Sequence, residues 1–580
     1  MTSNRERRAK IARLPFSTTD DQVAADNSTA ITVRGFGDSE DGRAYVLLSW
    51  VDPRDGKRRR ELLAPLSQVF AGGDIQKKLA DMRAPGLRQQ DLARLRDVIN
   101  SAAEAAPSTF EVATRLGWIK DRFVLPGQVF GKAAGVRIAL DAGGREERFS
   151  RYRVGGTLKG FRKIAKLAQN NSRLRLQLCV AFAGPIIGLL GVEPVMVLIV
   201  GPPGTGKSTL LIVVSSVYGQ HSDETIADRL GAVMPLNATV NDLEDELIAA
   251  RHTFLPLDET RAGAAASVVE FVMRVDSGFE KGRQGSGRTR QAAVVPVVIT
   301  SNKALDELAP AGEKVDRAHH DRLIGVPFLD EKGRVFEDLH GRDDEKELLA
   351  DLRALARKNF GVASHHLVEQ LVERVDADKD GLTKQLQKWR EEYLRAARDL
   401  PGPAGGLERV HQRFATLFAA GRFATSTGLV KWHPGLLRKD LLKCALAHAQ
   451  LCAEAELRQR DPLARLRAYF REHHGEFVDL GKEPERYASR GEALACLGFL
   501  FRHGKRGDEV LITEARAAEI VGGETNLTRV RRALDKLGAL ATAGEHRFSV
   551  RRPVGKKRDG ERLRLHVLAI RRSALEGVGG

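Results

Sequence analysis

Cysteine is scarce in this chain: Cys179, Cys444, Cys452 and Cys496 are the four among 580 residues. They have no zinc-ribbon spacing and lie mostly in apolar helical contexts, which excludes a disulfide scaffold and predicts reduced core thiols in a cytoplasmic protein. No internal repeat is present. An uninterrupted bilayer span is also missing. The most apolar stretch, Leu176 to Val192, is broken by Gly184-Pro185 and closed by Glu193-Pro194, so it predicts a buried helix and no membrane partner. Met1 to Arg13 is basic without an apolar h-region, which excludes a secretory signal. Metal-binding spacing is absent too. The pairs His319-His320, His365-His366 and His473-His474 have no cysteine or carboxylate at ligand spacing, and Asp376-Ala-Asp378-Lys-Asp380-Gly381 opens like a calcium loop but places Gln387 where a bidentate Glu is required. No primase or nuclease constellation is evident.

Acid is the charge in short supply. Lys and Arg number 93 against 76 Asp and Glu, a net charge of +17 that favours a polyanionic partner. The length and the 42% apolar content suit several domains of about 150 residues each. Residues 1–29 are polar and aperiodic, predicting a disordered arm. Residues 30–155 predict an α+β domain, with a hairpin through Arg43–Val51 and Lys57–Leu63 and further strands at Leu116–Ile119 and Arg122–Leu125. A nucleotide-binding core is expected over 156–340, and a charged helical lid or connector over 341–455. The final segment, 456–580, predicts an apolar helix at Glu492–His503, a second helix at Thr525–Leu540 and a basic hairpin at Arg547–Ile570, the order of a winged helix.

What is present is most specific at Gly201-Pro202-Pro203-Gly204-Thr205-Gly206-Lys207-Ser208-Thr209. It matches G-x-x-x-x-G-K-[ST], follows the strand pattern Val195–Val200 and opens a helix. In that context the glycines allow backbone N–H groups to wrap phosphates, Lys207 reaches the β- and γ-phosphates of ATP, and Ser208 offers a hydroxyl to Mg²⁺. About fifty residues on, Thr253–Leu257 ends in Asp258-Glu259. Adjacent carboxylates at a strand end divide the labour: Asp258 for the magnesium shell, Glu259 to polarise the attacking water. Pro256 within that strand removes a ladder donor. A further apolar strand, Val294–Thr300, leads to Asn302, a candidate for orienting the water or sensing the γ-phosphate. Arg322 first and Arg317 second are candidate fingers toward a neighbouring subunit's γ-phosphate, because they precede the apolar strand Ile324–Phe328.

Two basic elements are candidates for DNA. Lys281, Arg283, Arg288 and Arg290 punctuate a Gly-rich turn with no acid after Glu280. Between Glu545 and Arg572 there are ten Lys or Arg against three acids, with Lys556, Lys557 and Arg558 at the expected hairpin tip and Arg529 and Arg532 on the helix before it.

At these residues the chain resembles an AAA+ ATPase. It is most similar to the P-loop family of mobile elements and phages that includes self-loading, minichromosome-maintenance-like replicative helicases. The resemblance runs over about residues 30–360, through Gly117-Trp118, Phe123–Pro126, Asn171-Ser-Arg-Leu174, Gly184–Gly191, the phosphate loop, Val217-Tyr-Gly219, Asp258-Glu259 and Phe336–Gly341. It implies an α/β AAA+ core with a parallel sheet and helical lid, and an ATP-driven hexameric homo-oligomer acting on DNA, with a trans arginine and a pore loop that holds single-stranded DNA. The expectation is a DNA helicase or translocase in replication of a mobile element. The alternative is an ATP-switched initiator or defence protein that binds DNA without unwinding it. A protein-remodelling machine fits less well, because the pore candidate is cationic where that class threads aromatic loops.

Overall fold

The structure, a computed structural model, describes residues 31–54, 56–70, 74–85, 87–105, 109–132, 137–141, 149, 151–219, 233–235, 240–258, 294–308, 315–400, 407–482, 490–502, 508–541, 549–556 and 561–576. The arm expected over 1–29 lies outside them. The chain divides into two compact units: residues 1–304 with 321–448, and residues 305–320 with 449–580. The architecture is mixed α/β.

The larger unit begins with β1 (Thr32–Ser39), β2 (Ala44–Val51), β3 (Arg59–Pro65), α1 (Gln89–Ala105) and β4 (Phe110–Ala113). With β8 (Arg137–Leu140) these strands form one sheet in the order β3-β2-β1-β4-β8. The β2–β3 hairpin is held at its turn by Asp52, whose N–H donates to the Arg58 carbonyl and whose carboxylate accepts from Arg54 N and Arg60. A meander of β5 (Gly117–Ile119), β6 (Arg122–Leu125) and β7 (Gln128–Phe130) follows β4 in sequence. Trp118 pins it to the core: its indole N–H donates to the Pro185 carbonyl at 2.7 Å and its backbone N–H to His252 Nδ1 at 3.1 Å.

Two helices, α2 (Leu158–Leu167) and α3 (Ser172–Leu190), lead to the central sheet. Helix α3 is long and apolar enough by length and composition to cross a membrane, yet 83% of that stretch is buried inside the protein. The central sheet is parallel, in the order β10-β11-β12-β9-β13, from β9 (Met196–Val200), β10 (Met234–Pro235), β11 (Leu255–Asp258), β12 (Val297–Ser301) and β13 (Leu323–Pro327). Its central strands β9 and β12 are rich in β-branched residues and buried, as an inner parallel sheet requires. Pro256 is tolerated in β11 for a local reason. Leu255 N–H donates to Pro296 O on one side, so the donor missing at Pro256 faces β10, which pairs only from Leu257 onward.

Further helices are α4 (Lys207–Ser215), α5 (Val240–Ala249), α6 (Arg317–Arg322), α7 (Glu345–Lys358), α8 (Val362–Arg398), α9 (Glu408–Ser426) and α10 (Pro434–Arg460). Asp376 to Gly381 forms a kink inside α8 rather than an open loop. Asp378 leaves helical φ/ψ, and its carboxylate caps the second half by accepting from Gly381 N at 2.8 Å.

The smaller unit is built on a sheet in the order β14-β15-β16-β18-β17, from β14 (Val478–Asp479), β15 (Phe499–Phe501), β16 (Glu509–Thr513), β17 (Val550–Lys556) and β18 (Arg562–Arg571). One face carries α11 (Pro462–His473), α13 (Glu514–Val521) and α14 (Glu524–Lys536) around Leu466, Phe470, Ile512, Leu534, Leu568 and Ile570. The segment Glu492–His503, expected as one helix, is not a continuous helix. Helix α12 spans only Arg490–Ala495, and Phe499–Phe501 is a strand paired antiparallel with β16. After a bend at Cys496 and Leu497, Gly498 passes where an added Cβ would meet the Phe477 ring at 2.5 Å, and the aromatic run then joins the sheet.

Candidate nucleotide site and cationic surfaces

The end of β9 turns into Gly201–Gly206, and Gly204 and Gly206 hold φ of +76° and +99°, conformations that a residue with a Cβ seldom adopts. Lys207 opens α4 with its side chain buried. Its ammonium donates to the carbonyls of Gly201 and Pro202, each at 2.7 Å, and to Asn302 Oδ1 at 2.9 Å. Thr205 folds back on the loop, donating to Pro202 O at 2.9 Å. A cavity of about 380 Å³ opens beside it, with Pro203, Gly204, Gly206, Lys207, Ser208 and Thr209 on one wall and Asp258, Thr300, Ser301 and Asn302 on the other.

The topology explains this meeting. Strand β12 lies between β9 and β11, so the ends of all three point to one edge and Asn302 falls between the lysine and Asp258. Thr300, which has no assigned role in the sequence reading, donates its hydroxyl to Asp258. Its signal was a polar residue at the end of a buried strand. Glu259 lies outside the described residues, as do Lys281, Arg283, Arg288 and Arg290.

Arg322 is half-buried at the end of α6, and Arg317 is exposed at its start. Leu323, next to Arg322, pairs with Met196 at the beginning of β9, whereas the phosphate loop follows Val200 at its other end. Arg322 is therefore a strand length, roughly 15 Å at about 3.3 Å per residue, from the loop of its own chain.

Two motifs distant in sequence lock together. Asn171 Nδ2 donates to Asp338 O while Asp338 N donates to Asn171 Oδ1, both at 2.9 Å, and Ser172 N donates to Glu337 at 3.0 Å. Burial would raise the Glu337 carboxyl, but bonds from Ser172 and Lys443 keep it below its ordinary value. At the turn after β13, burial likewise opposes ionisation of Asp330. Bonds from the Arg334 side chain and the backbone of Arg334 and Lys332 hold it down at about 2.

In the smaller unit, Arg529, Arg532 and Lys536 are exposed along one face of α14. Arg531, between them, is tied to Glu514 instead. Lys556 ends β17, and Lys557 and Arg558 lie outside the described residues. The hairpin contributes further cations. Arg562 and Arg564 alternate with buried Leu563 and Leu565, and Arg551 pairs across from His566, so they share one exposed face. By the same alternation that face continues into Leu568 and Ile570, which pack under the helices, so it lies on the α14 side of the sheet. Arg532, Lys536, Arg551, Arg562 and Arg564 make no ion pair among the described residues. No group of three or more His, Cys, Asp or Glu is placed to hold a metal among the described residues.

A family model described as a domain of unknown function (DUF927) matches residues 15–292. No curated protein matches the chain. Among solved structures the chain is similar to an active helicase, SCCmec type IV Cch, with a TM-score of 0.55 and 13% identity over 94% of this chain and 95% of that one. The chain has a helicase-like fold. A weaker likeness is to the apo C-terminal region of NrS-1, with a TM-score of 0.24 and 11% identity over 67% of this chain and 86% of that one, too low to bear on the fold.

Proposed function

We propose that this chain is an ATP-dependent DNA helicase or translocase of a mobile genetic element or phage, working as an oligomeric AAA+ ring, a hexamer by resemblance. The observation that carries this reading is the convergence of Lys207, Asn302 and Asp258 on one cavity at the ends of neighbouring parallel strands. That arrangement suits a triphosphate with its metal. Ser208 and Asp258 are hard oxygen donors of the type Mg²⁺ takes, and a magnesium ion held there offsets triphosphate charge. Lys207, already fixed by backbone acceptors, exchanges some of them for phosphate oxygens without a large rearrangement.

Asn302, bonded to that lysine, reports whether a γ-phosphate is in place. Glu259, next in sequence to Asp258, supplies the carboxylate that polarises water. Arg322 sits too far from its own loop to serve it, which supports a role at the site of an adjacent copy. The helices over 341–455 act as the lid. In the smaller unit, helices α11, α13 and α14 followed by the β17–β18 hairpin support a winged helix, with α14 and the hairpin face toward duplex DNA and the Lys281–Arg290 loop toward a single strand.

The test is ATP hydrolysis by the purified full chain with Mg²⁺, with and without DNA. Turnover that rises with DNA and disappears in Lys207→Ala is expected. No hydrolysis under any condition would overturn the reading.

A further inference from the structure

Helix α2 carries cations that neither the nucleotide site nor the C-terminal surface uses. Phe161, Ile164, Ala165 and Leu167 are buried, and Lys159, Arg162, Lys163 and Lys166 all face outward, with no acidic residue in the helix. The ammonium groups of Lys159, Lys163 and Lys166 have no carboxylate partner among the described residues. The segment after α9 runs alongside: Arg162 donates to Gly428 O at 2.8 Å and Trp432 Nε1 to Ala165 O at 2.9 Å, which brings exposed Lys431 to the same patch.

This helix is also hooked to the phosphate loop through α7. At one end of α7, Asn359 caps the helix and its Oδ1 accepts from Thr157 N at 3.0 Å, where α2 begins. Gly160 is required by that contact, because a Cβ there would sit 1.9 Å from Asn359 Oδ1. Ten residues away along α7, Leu349 presses on the loop, where a Cβ on Gly206 would lie 2.6 Å from its Cδ1. At about 1.5 Å per residue this is a rod of roughly 15 Å between the basic face and the nucleotide cradle.

We propose that the outward face of α2, with Lys431, is a second nucleic-acid contact that grips a phosphate backbone and is coupled through α7 to the phosphate loop. This rests on the DNA-dependent ATPase reading above. The chemistry favours nucleic acid over an acidic protein surface. Lysine is depleted from protein–protein interfaces, which centre on aromatic and apolar groups, and α2 exposes no large apolar side chain. From Lys159 to Lys166 the helix rises about 10 Å, a length over which one strand of B-form DNA presents about three phosphates.

The experiment uses the full-length triple variant Lys159→Gln, Lys163→Gln, Lys166→Gln. Fluorescent oligo-dT and a random-sequence duplex are titrated across a salt series, and ATP turnover is measured with and without each. Variant Arg532→Ala, Arg562→Ala, Arg564→Ala is measured in parallel. The lysine variant is expected to lose about two units of salt slope on oligo-dT and most of the stimulation by DNA, with basal turnover unchanged. Asn359→Ala is expected to keep DNA affinity and lose stimulation; full stimulation in that variant would overturn the coupling. If the lysine variant binds and responds as wild type while the arginine variant loses DNA, the α2 assignment fails and the DNA reading stands. If both behave as wild type, the DNA reading fails and this proposal with it. A lysine variant altered only in sedimentation would mean that the face meets another copy of the chain, overturning the nucleic-acid assignment.

Discussion

Lys207 and Arg532 are both cations proposed to meet phosphate, but the protein holds them in opposite ways. Lys207 is buried and bonded to two backbone carbonyls and an amide oxygen before any ligand arrives. Arg532, like Arg562 and Arg564, is exposed and makes no ion pair among the described residues. The first arrangement defines a position to within hydrogen-bond geometry, as a small ligand that must react requires. The second defines only a charged face, which suffices for a polymer whose phosphates repeat. Salt should separate the two, because exposed charges are screened over about 10 Å at 0.1 M ionic strength and enclosed ones much less.

The largest expected effect sharpens the enclosed side of this contrast. Arg322→Ala should cut ATP turnover by about 10³–10⁵-fold with nucleotide affinity kept, since a finger acts on the transition state. Mixing it with Lys207→Ala should restore part of the activity, because some interfaces then combine an intact loop with an intact arginine; mixtures that co-assemble yet stay inactive would remove the trans role. Glu259→Gln should lower turnover by about 10²–10⁴-fold with ATP still bound, read by hydrolysis beside a nucleotide-binding titration. Lys207→Ala should weaken ATP binding by about 100-fold or more, from lost charged hydrogen bonds of about 1.5–3 kcal/mol each, and leave nucleotide-free DNA affinity intact. A matching loss of DNA affinity would break the comparison.

On the exposed side, Arg532→Ala with Arg562→Ala and Arg564→Ala should flatten the salt dependence of duplex binding by up to about three units, measured by anisotropy, with basal hydrolysis unchanged. The smallest effect concerns the joint between meander and core. Burial, with Arg251 and Arg115 nearby, holds His252 neutral, its pKa well below the ordinary 6.5. The unfolded chain therefore binds this proton first, so the contribution to stability is complete above about pH 6.5 and declines as pH falls below it, by at most about 1.4 kcal/mol per pH unit. Urea unfolding at pH 7 and 5.5 should show a shallower decline for His252→Gln than for wild type; equal declines would remove His252 from the account.

The enclosed region is the more legible in the sequence, for a physical reason. A phosphate loop demands fixed residues at fixed spacing, so Gly201–Thr209, Asp258 and Asn302 can be read from one strand each, and the structure brings those three segments to one cavity. Thr300 escapes because its role depends on which strand lies beside it. The exposed region is legible in charge but not in placement. Arg551, Arg562 and Arg564 become a face only once the β17–β18 register is known. The helix expected at Glu492–His503 fails because its apolar run has no period that separates a buried helix from a strand, and the pairing of Phe499–Phe501 with β16 is remote from any local pattern. The kink at Asp378 is similarly silent, since no proline marks it.

Strand separation is the most direct measure of whether the enclosed site drives motion along the exposed one. Full-length protein is incubated with fluorescently labelled forked duplexes carrying either a 3′ or a 5′ tail, with ATP and Mg²⁺, beside Glu259→Gln. Displacement of the labelled strand by wild type on one of the forks, absent in the variant and without ATP, is the expected result. Robust DNA binding and ATP hydrolysis with no displacement on either fork would contradict it and favour a protein that uses ATP to switch its hold on DNA.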